Sequence, residues 1–113
     1  MQLQNFSDDL KIKLINSPLI NTDIGLNYFN NNKALYLKIL HSFTQRYENL
    51  NLQNIEKEEL ERTLHTIKGL TLTLGMEPIS HSIKELEKGI NEISLRAFNK
   101  LLNETLKLIK YIK

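Results

Sequence analysis

The sequence predicts an all-α protein, an antiparallel four-helix bundle with one or two short additional N-terminal helices. Apolar residues recur with helical spacing in four long segments, and each segment carries one apolar stripe. The chain has only 4 Gly and 2 Pro, and isoleucine accounts for all of its β-branched apolar residues. At 113 residues it fits one domain with a single core. We expect residues 1–20 to form an N-terminal linker or short helix and residues 21–113 to form the bundle.

Two short helices are predicted before the bundle. Ser7 is suited to cap a helix, because its hydroxyl can accept from a free backbone N–H, and Asp8 and Asp9 would then lie in the first turn. Pro18 closes this segment. A second short helix is expected from Asp23 to Phe29.

Four longer helices follow, after a turn at Asn30–Asn32. They are predicted over residues 32–50, 57–74, 78–93 and 94–112. Their inner faces are expected to contain Tyr36, Leu40, Phe43, Tyr47 and Leu50; Leu60, Leu64, Ile67, Thr71 and Leu74; Ile79, Ile83, Leu86, Ile90 and Ile93; and Phe98, Leu102, Thr105, Ile109 and Ile112. Ser94 is predicted to cap the last helix, and Gly75 follows the second, where glycine commonly ends a helix.

The composition argues against several classes of protein. The 15 basic and 13 acidic residues give a net charge of +2, whereas a nucleic-acid-binding domain usually carries a basic stripe and a larger imbalance. No apolar stretch approaches the ~18 residues of a membrane span, and Met1–Asn5 does not resemble the start of a signal peptide. There is no Cys, so neither disulfides nor a thiolate metal site can form.

The second long helix carries one group of residues that its packing does not require. On a helical wheel His65 lies about 140° from the centre of the apolar stripe, and Glu61, Lys68, Gly69 and Leu72 share its face. An exposed His, a solvated Lys and a single exposed Leu are each ordinary on a surface. A mid-helix glycine is not, because it costs ~1 kcal/mol relative to Ala. We therefore interpret Gly69 as leaving room for another surface to approach His65.

The segment from His65 to Gly75 resembles the signature of histidine phosphotransfer (HPt) domains. That signature is His-x-Leu-Lys-Gly, followed by a glycine ten residues after the His, and this chain differs in having Ile67 for the Leu. Residues 23–26 and 34–43 are similar to the opening of HPt domains at the C-terminal end of hybrid sensor kinases, and Leu86-Glu87 matches a pair in the next helix. The likeness covers the chain from about residue 21 onwards.

The resemblance implies a role for each matching residue. His65 would be the phosphoacceptor, Lys68 would stabilise the charge of the phosphoryl group, and Gly69 would keep the approach clear. Glu87 would orient the imidazole by a hydrogen bond. The spacing supports that contact independently, because His65 and Glu87 lie 11 residues on either side of a hairpin that turns near Met76. The ordinary interpretation of Glu87 is one more exposed carboxylate.

The resemblance also implies partners and a setting. The partners would be response-regulator receiver domains, and the docking face would contain Glu61, Gly69 and Leu72, with Gly75 structural. The domain itself would bind no cofactor or metal, with Mg²⁺ on the partner receiver, and would have no autonomous activity. We expect a monomer in the cytoplasm, either free-standing or tethered to the inner membrane within a larger sensor kinase.

Four other interpretations were weighed against this one. A histidine kinase dimerisation domain would usually have Glu after its His, whereas Thr66 follows His65, and it would need two chains to complete the bundle. A helical adaptor would bind partners without chemistry. A two-His metal site would need i, i+4 spacing, which His41 and His81 do not provide. The lysine-rich residues 107–113 are better explained by a terminal bundle helix than by a membrane-surface helix.

Overall fold

The computed structural model describes residues 7–112, and all regular elements in this range are helical. Met1–Asn5, which were predicted not to be a signal peptide, lie outside this range, and so does Lys113, the last of the lysine-rich residues 107–113.

Six helices follow one another along the described chain. They are α1 Asp8–Ile15, α2 Thr22–Tyr28, α3 Lys33–Tyr47, α4 Lys57–Leu74, α5 Glu77–Lys88 and α6 Glu92–Tyr111. In the bundle, α4 packs against α5, α5 against α6, and α6 against α3, while α1 packs on α3 and α2 on α4. The short connections make consecutive helices α4, α5 and α6 antiparallel. The predicted four-helix bundle with two short N-terminal helices is confirmed.

The N-terminal segment contributes to the core. Ser7 caps α1 as predicted, since its Oγ accepts a hydrogen bond from the backbone N–H of Leu10 at 3.2 Å. Ile12 and Ile15 of α1 are buried with the bundle residues, and so is Ile20 in the connection to α2. The boundary at residue 20 stays a prediction, but the preceding residues from α1 onwards pack on the same core.

The first residues of α2 lie against the turn between α4 and α5. The backbone N–H of Asn21 donates to the carbonyl of Gly75 at 2.8 Å. Gly75 has a φ of +82°, and a Cβ added there would overlap the carbonyl oxygen of Asn21. Gly75 therefore ends α4 in the left-handed conformation that the sequence suggested, and it also lets a second segment approach closely.

Tyr36 links α3 to the C-terminal end of α4. Its ring is fully buried and fills the space beside Gly25, where a Cβ would overlap it. Its hydroxyl donates to the carbonyl oxygen of Leu74 at 2.8 Å, one of the last four carbonyls of α4 that no backbone N–H of that helix can satisfy. Burial raises the pKa of the Tyr36 hydroxyl, so the group stays a neutral donor.

We expect Tyr36→Phe to lower the free energy of unfolding by ~1–3 kcal/mol, because it leaves the Leu74 carbonyl without this donor while the ring packing is kept. Urea denaturation measures the change. Tyr28→Phe is the matched control, since the Tyr28 side chain is 63% exposed, and it should have almost no effect. Equal effects of the two substitutions would contradict a stabilising role for the Tyr36 hydroxyl.

The third long helix ends earlier than predicted. Helix α5 stops at Lys88, so Ile90 lies in the connection and is only partly buried, and Ile93 is 79% exposed. The predicted cap Ser94 is also wrong. Asn91 is the N-cap of α6, and its Oδ1 accepts a hydrogen bond from the Ser94 N–H at 2.8 Å. The Asn91 cap starts the next helix three residues early, which removes Ile93 from the α5 stripe.

The other helix ends agree with the prediction more closely. Helix α3 ends at Tyr47 instead of residue 50, and Leu50 is partly buried just beyond it. Helix α2 begins one residue earlier than predicted, after the Asn21 cap. Leu50, Ile90 and Ile93 are not fully buried, and all the other residues assigned to the inner faces of the four long helices are.

Candidate functional site

His65 projects from the middle of α4 away from the core. The inner stripe of this helix is buried through Leu60, Leu64 and Ile67, and the His65 side chain is 77% exposed. The predicted outward position of the imidazole is therefore confirmed. A side chain this exposed can be reached by a group on another molecule without any rearrangement of the bundle.

The hairpin of α4 and α5 brings Glu87 level with His65. Only Gly75 and Met76 separate the two helices, and Met76 is completely buried, which anchors the turn. Oε2 of Glu87 lies 4.0 Å from Nδ1 of His65. The equal spacing about Met76 thus placed the two side chains together, although 4.0 Å is longer than a hydrogen bond.

The Glu87 carboxylate forms an ion pair with Lys68. Nζ of Lys68 donates to Oε1 of Glu87 at 2.7 Å and to Oε2 at 3.0 Å. The Lys68 side chain is 21% exposed and that of Glu87 39%, so the ion pair lies partly buried between α4 and α5. This pair was not predicted from the sequence. The signal was present, since Lys68 lies one turn after His65 on the face that meets Glu87.

Gly69 and its neighbours form an open surface beside the imidazole. Apart from its two chain neighbours and the backbone of its own helix, no described atom lies within 4 Å of the position that a Cβ of Gly69 would take. Glu61 and Leu72, one turn before and two turns after His65, are both exposed, with Leu72 at 48%. Internal packing therefore gives no reason for a glycine at position 69.

Comparison with known families identifies the bundle. The family model of the Hpt domain matches residues 35–110, more than half of the chain. The chain belongs to the Hpt domain family. Hpt domains carry out histidine phosphotransfer in phosphorelays and interact with receiver domains, and the matched segment contains His65, Lys68 and Glu87. No curated protein and no solved structure matches the chain at a significant level.

A groove of about 730 Å³ adjoins the histidine of this Hpt domain on the side of the α4 N-terminus. Its apolar lining comes from α4, the end of α5 and the two neighbouring connections, while His65 and Glu87 line it together with three other charged residues. The groove is lined by Ile55, Lys57, Leu60, Glu61, Leu64, His65, Leu86, Glu87, Lys88, Gly89 and Ile90. The sequence did not predict it, because its wall depends on where α5 ends.

The remaining histidines of the Hpt domain lie apart from this arrangement. His41 is partly buried on α3, and His81 is exposed on α5, nearer the hairpin turn than Glu87. Among residues 7–112, no group of three His, Asp or Glu side chains is placed to hold a metal ion.

Within residues 7–112, no helix combines the length and the apolar composition needed to cross a membrane.

Proposed function

We propose that this Hpt domain accepts a phosphoryl group on His65 from the aspartate of one receiver domain and passes it to the aspartate of another. The observation that carries the proposal is the exposed imidazole on α4, bordered by Gly69 and within 4.0 Å of Glu87. Nδ1 faces the carboxylate, so Nε2 is the nitrogen proposed to attack phosphorus. A neutral imidazole is a suitable nucleophile near physiological pH.

The proposed transfer breaks one bond to phosphorus and forms another. The phosphorus–oxygen bond of the receiver's aspartyl phosphate breaks, and its electron pair stays on the aspartate oxygen. The lone pair of Nε2 forms the new phosphorus–nitrogen bond, and the ring gains positive charge while Nδ1 keeps its proton. Such transfers need positioning and cations near the developing negative charge. Lys68 is proposed to supply one cation and the receiver's Mg²⁺ another.

The proposed docking face surrounds His65 along α4. Gly69 gives the receiver backbone room to approach, and Leu72 offers an apolar contact at one end of the face. Glu61 lies at the other end, on the wall of the groove described above. A receiver centred on His65 would cover all three positions, since they span about three helical turns on one side of α4.

Gly69→Leu should weaken receiver docking while leaving the fold intact. A Cβ at position 69 has open space beyond its own helix among the described residues, and replacing a mid-helix glycine should stabilise α4 by up to ~1 kcal/mol. In the complex the same side chain would obstruct the partner, so we expect KM for the phosphorylated receiver to rise roughly tenfold, equivalent to ~1.4 kcal/mol. Transfer kinetics at varied receiver concentration measure this effect.

Asn103→Leu provides the control for added apolar bulk, because Asn103 is exposed on α6, which does not adjoin the proposed face. It should leave KM unchanged. If Gly69→Leu also transferred normally, the glycine would not be needed for close approach.

The setting of the domain is part of the proposal. We propose that it acts in the cytoplasm as a monomer, either free-standing or as the last domain of a hybrid sensor kinase. The likeness of residues 23–26 and 34–43 to Hpt domains of such kinases supports the latter. A mass measurement in solution distinguishes a monomer from the two-chain bundle of a kinase dimerisation domain.

The direct test is phosphoryl acceptance. Receiver domains labelled on aspartate by acetyl phosphate are mixed with the protein and Mg²⁺, and the protein is then assayed for label that is labile in acid and stable in base. We expect at least one receiver of a panel from the same genome to label the chain on His65, as located by peptide mass spectrometry. Absence of label from the whole panel would favour a helical adaptor without chemistry.

A further inference from the structure

We propose that Glu87 exchanges partners during phosphoryl transfer. Its carboxylate holds the Lys68 ammonium while His65 is unmodified, and it passes to the Nδ1–H of His65 when the phosphoryl group arrives on Nε2. Lys68 is thereby released to the phosphoryl oxygens. This inference rests on the proposed function of His65 and adds the order in which the two flanking side chains act.

The distances place one carboxylate between two possible donors. Both oxygens of Glu87 lie within hydrogen-bond distance of Lys68 Nζ, at 2.7 and 3.0 Å, whereas Nδ1 of His65 is 4.0 Å from Oε2. Hydrogen bonds of this kind are about 2.7–3.2 Å long, so a shift of roughly 1 Å would bring Oε2 onto Nδ1. Side-chain rotation of Glu87 supplies such a shift without any movement of α4 or α5.

The charges favour the exchange only after transfer. Beside a neutral imidazole, the carboxylate gains more from the Lys68 ammonium. Once Nε2 has bonded to phosphorus and Nδ1 has kept its proton, the ring is cationic and the phosphoryl group is anionic. The Glu87 carboxylate can then pair with the cationic ring, and the Lys68 ammonium can pair with the anionic phosphoryl oxygens.

The resting ion pair is weak enough to open. Glu87 is 39% exposed and Lys68 21%, so water reaches both charges. Ion pairs in contact with water contribute little to stability, because solvent screens them and ordering long side chains costs entropy. The pair therefore holds Lys68 in place near His65 without preventing its release. Lys68 also acts as a positioning residue here, because in the resting state it keeps Glu87 away from Nδ1.

The test measures the tautomers of His65 in the unphosphorylated protein by ¹⁵N NMR, at a pH at which the ring is neutral. Lys68→Met should free Glu87 to accept a hydrogen bond from Nδ1–H. We therefore expect the ratio of the Nδ1–H to the Nε2–H tautomer to rise about threefold, which corresponds to the free energy of one partly exposed charge-assisted contact. Lys68→Arg should restore the original ratio. Glu87→Gln added to Lys68→Met should reverse most of the rise.

Lys84→Met is the matched control, since Lys84 is an exposed lysine of α5 with no ion pair to Glu87. It should leave the tautomer ratio unchanged. An unchanged ratio in Lys68→Met, or an equal rise in Lys84→Met, would overturn the exchange.

A transfer measurement separates this inference from the function on which it rests. With a phosphorylated receiver as donor, Lys68→Met should lower the maximal rate of acceptance roughly tenfold and leave KM nearly unchanged. If the wild-type chain accepts label and Lys68→Met does not alter the tautomers, the exchange is wrong and the proposed function stands. If the wild-type chain accepts no label from any receiver, both are wrong.

Discussion

His65→Gln should accept no phosphoryl group from any receiver that labels the wild-type protein. The substitution removes the nitrogen proposed to bond phosphorus, and the amide that replaces it is not a nucleophile under these conditions. The fold should not change, because the side chain is 77% exposed and the Glu87 carboxylate, at 4.0 Å, is beyond hydrogen-bond distance. We expect the helical circular dichroism to be unchanged and the free energy of unfolding to shift by less than about 0.5 kcal/mol.

The control for this result is His81→Gln. His81 is also exposed and lies on α5, where it lines a shallow groove with Leu72, but it is not the proposed phosphoacceptor. This variant should still accept label on His65. Label on His65→Gln, or loss of label from His81→Gln, would assign the phosphoacceptor to another residue.

Gly75→Ala should produce the largest loss of stability of any substitution considered for this protein. The residue has a φ of +82°, which costs an L-residue ~1–2 kcal/mol. The new Cβ would also overlap the Asn21 carbonyl, so the start of α2 must move away from the hairpin. From the two effects together we expect the free energy of unfolding to fall by about 2–5 kcal/mol and Tm to fall by roughly 10 °C or more.

Gly69→Ala makes the same chemical change inside α4 and serves as the control. Position 69 lies within α4 and has open space around it, so this variant should be as stable as the wild type or slightly more so. Thermal unfolding of the two variants side by side measures the difference. A Gly75→Ala protein that unfolds at the temperature of Gly69→Ala would show that the contact between Asn21 and Gly75 is dispensable.

Much of the bundle could be predicted because its helices are bounded by local signals. Residues spaced along one face of α4 and α6 identified the buried positions, and Gly75 identified the end of α4, since a left-handed residue there depends on the local chain alone. The prediction was wrong where two local signals competed. The periodic stripe of α5 continued to Ile93, but Asn91 capped the next helix first.

The candidate site was predictable in its placement and less so in its contacts. A helical wheel sufficed to put His65 in solvent, and counting from Met76 sufficed to set Glu87 beside it. The ion pair of Lys68 with Glu87 was missed because it depends on how two long side chains cross between helices, which spacing does not specify. The functional roles of all three residues stay predictions.

The most direct test of phosphoryl carriage is a chase of the loaded protein. The chain is labelled, freed of its donor and mixed with an unlabelled second receiver and Mg²⁺. We expect the label to leave His65 and to appear on the receiver's aspartate within the time that the phosphohistidine survives alone. Label that stays on the chain with every receiver, decaying only to free phosphate, would contradict a role for this domain as a phosphoryl carrier.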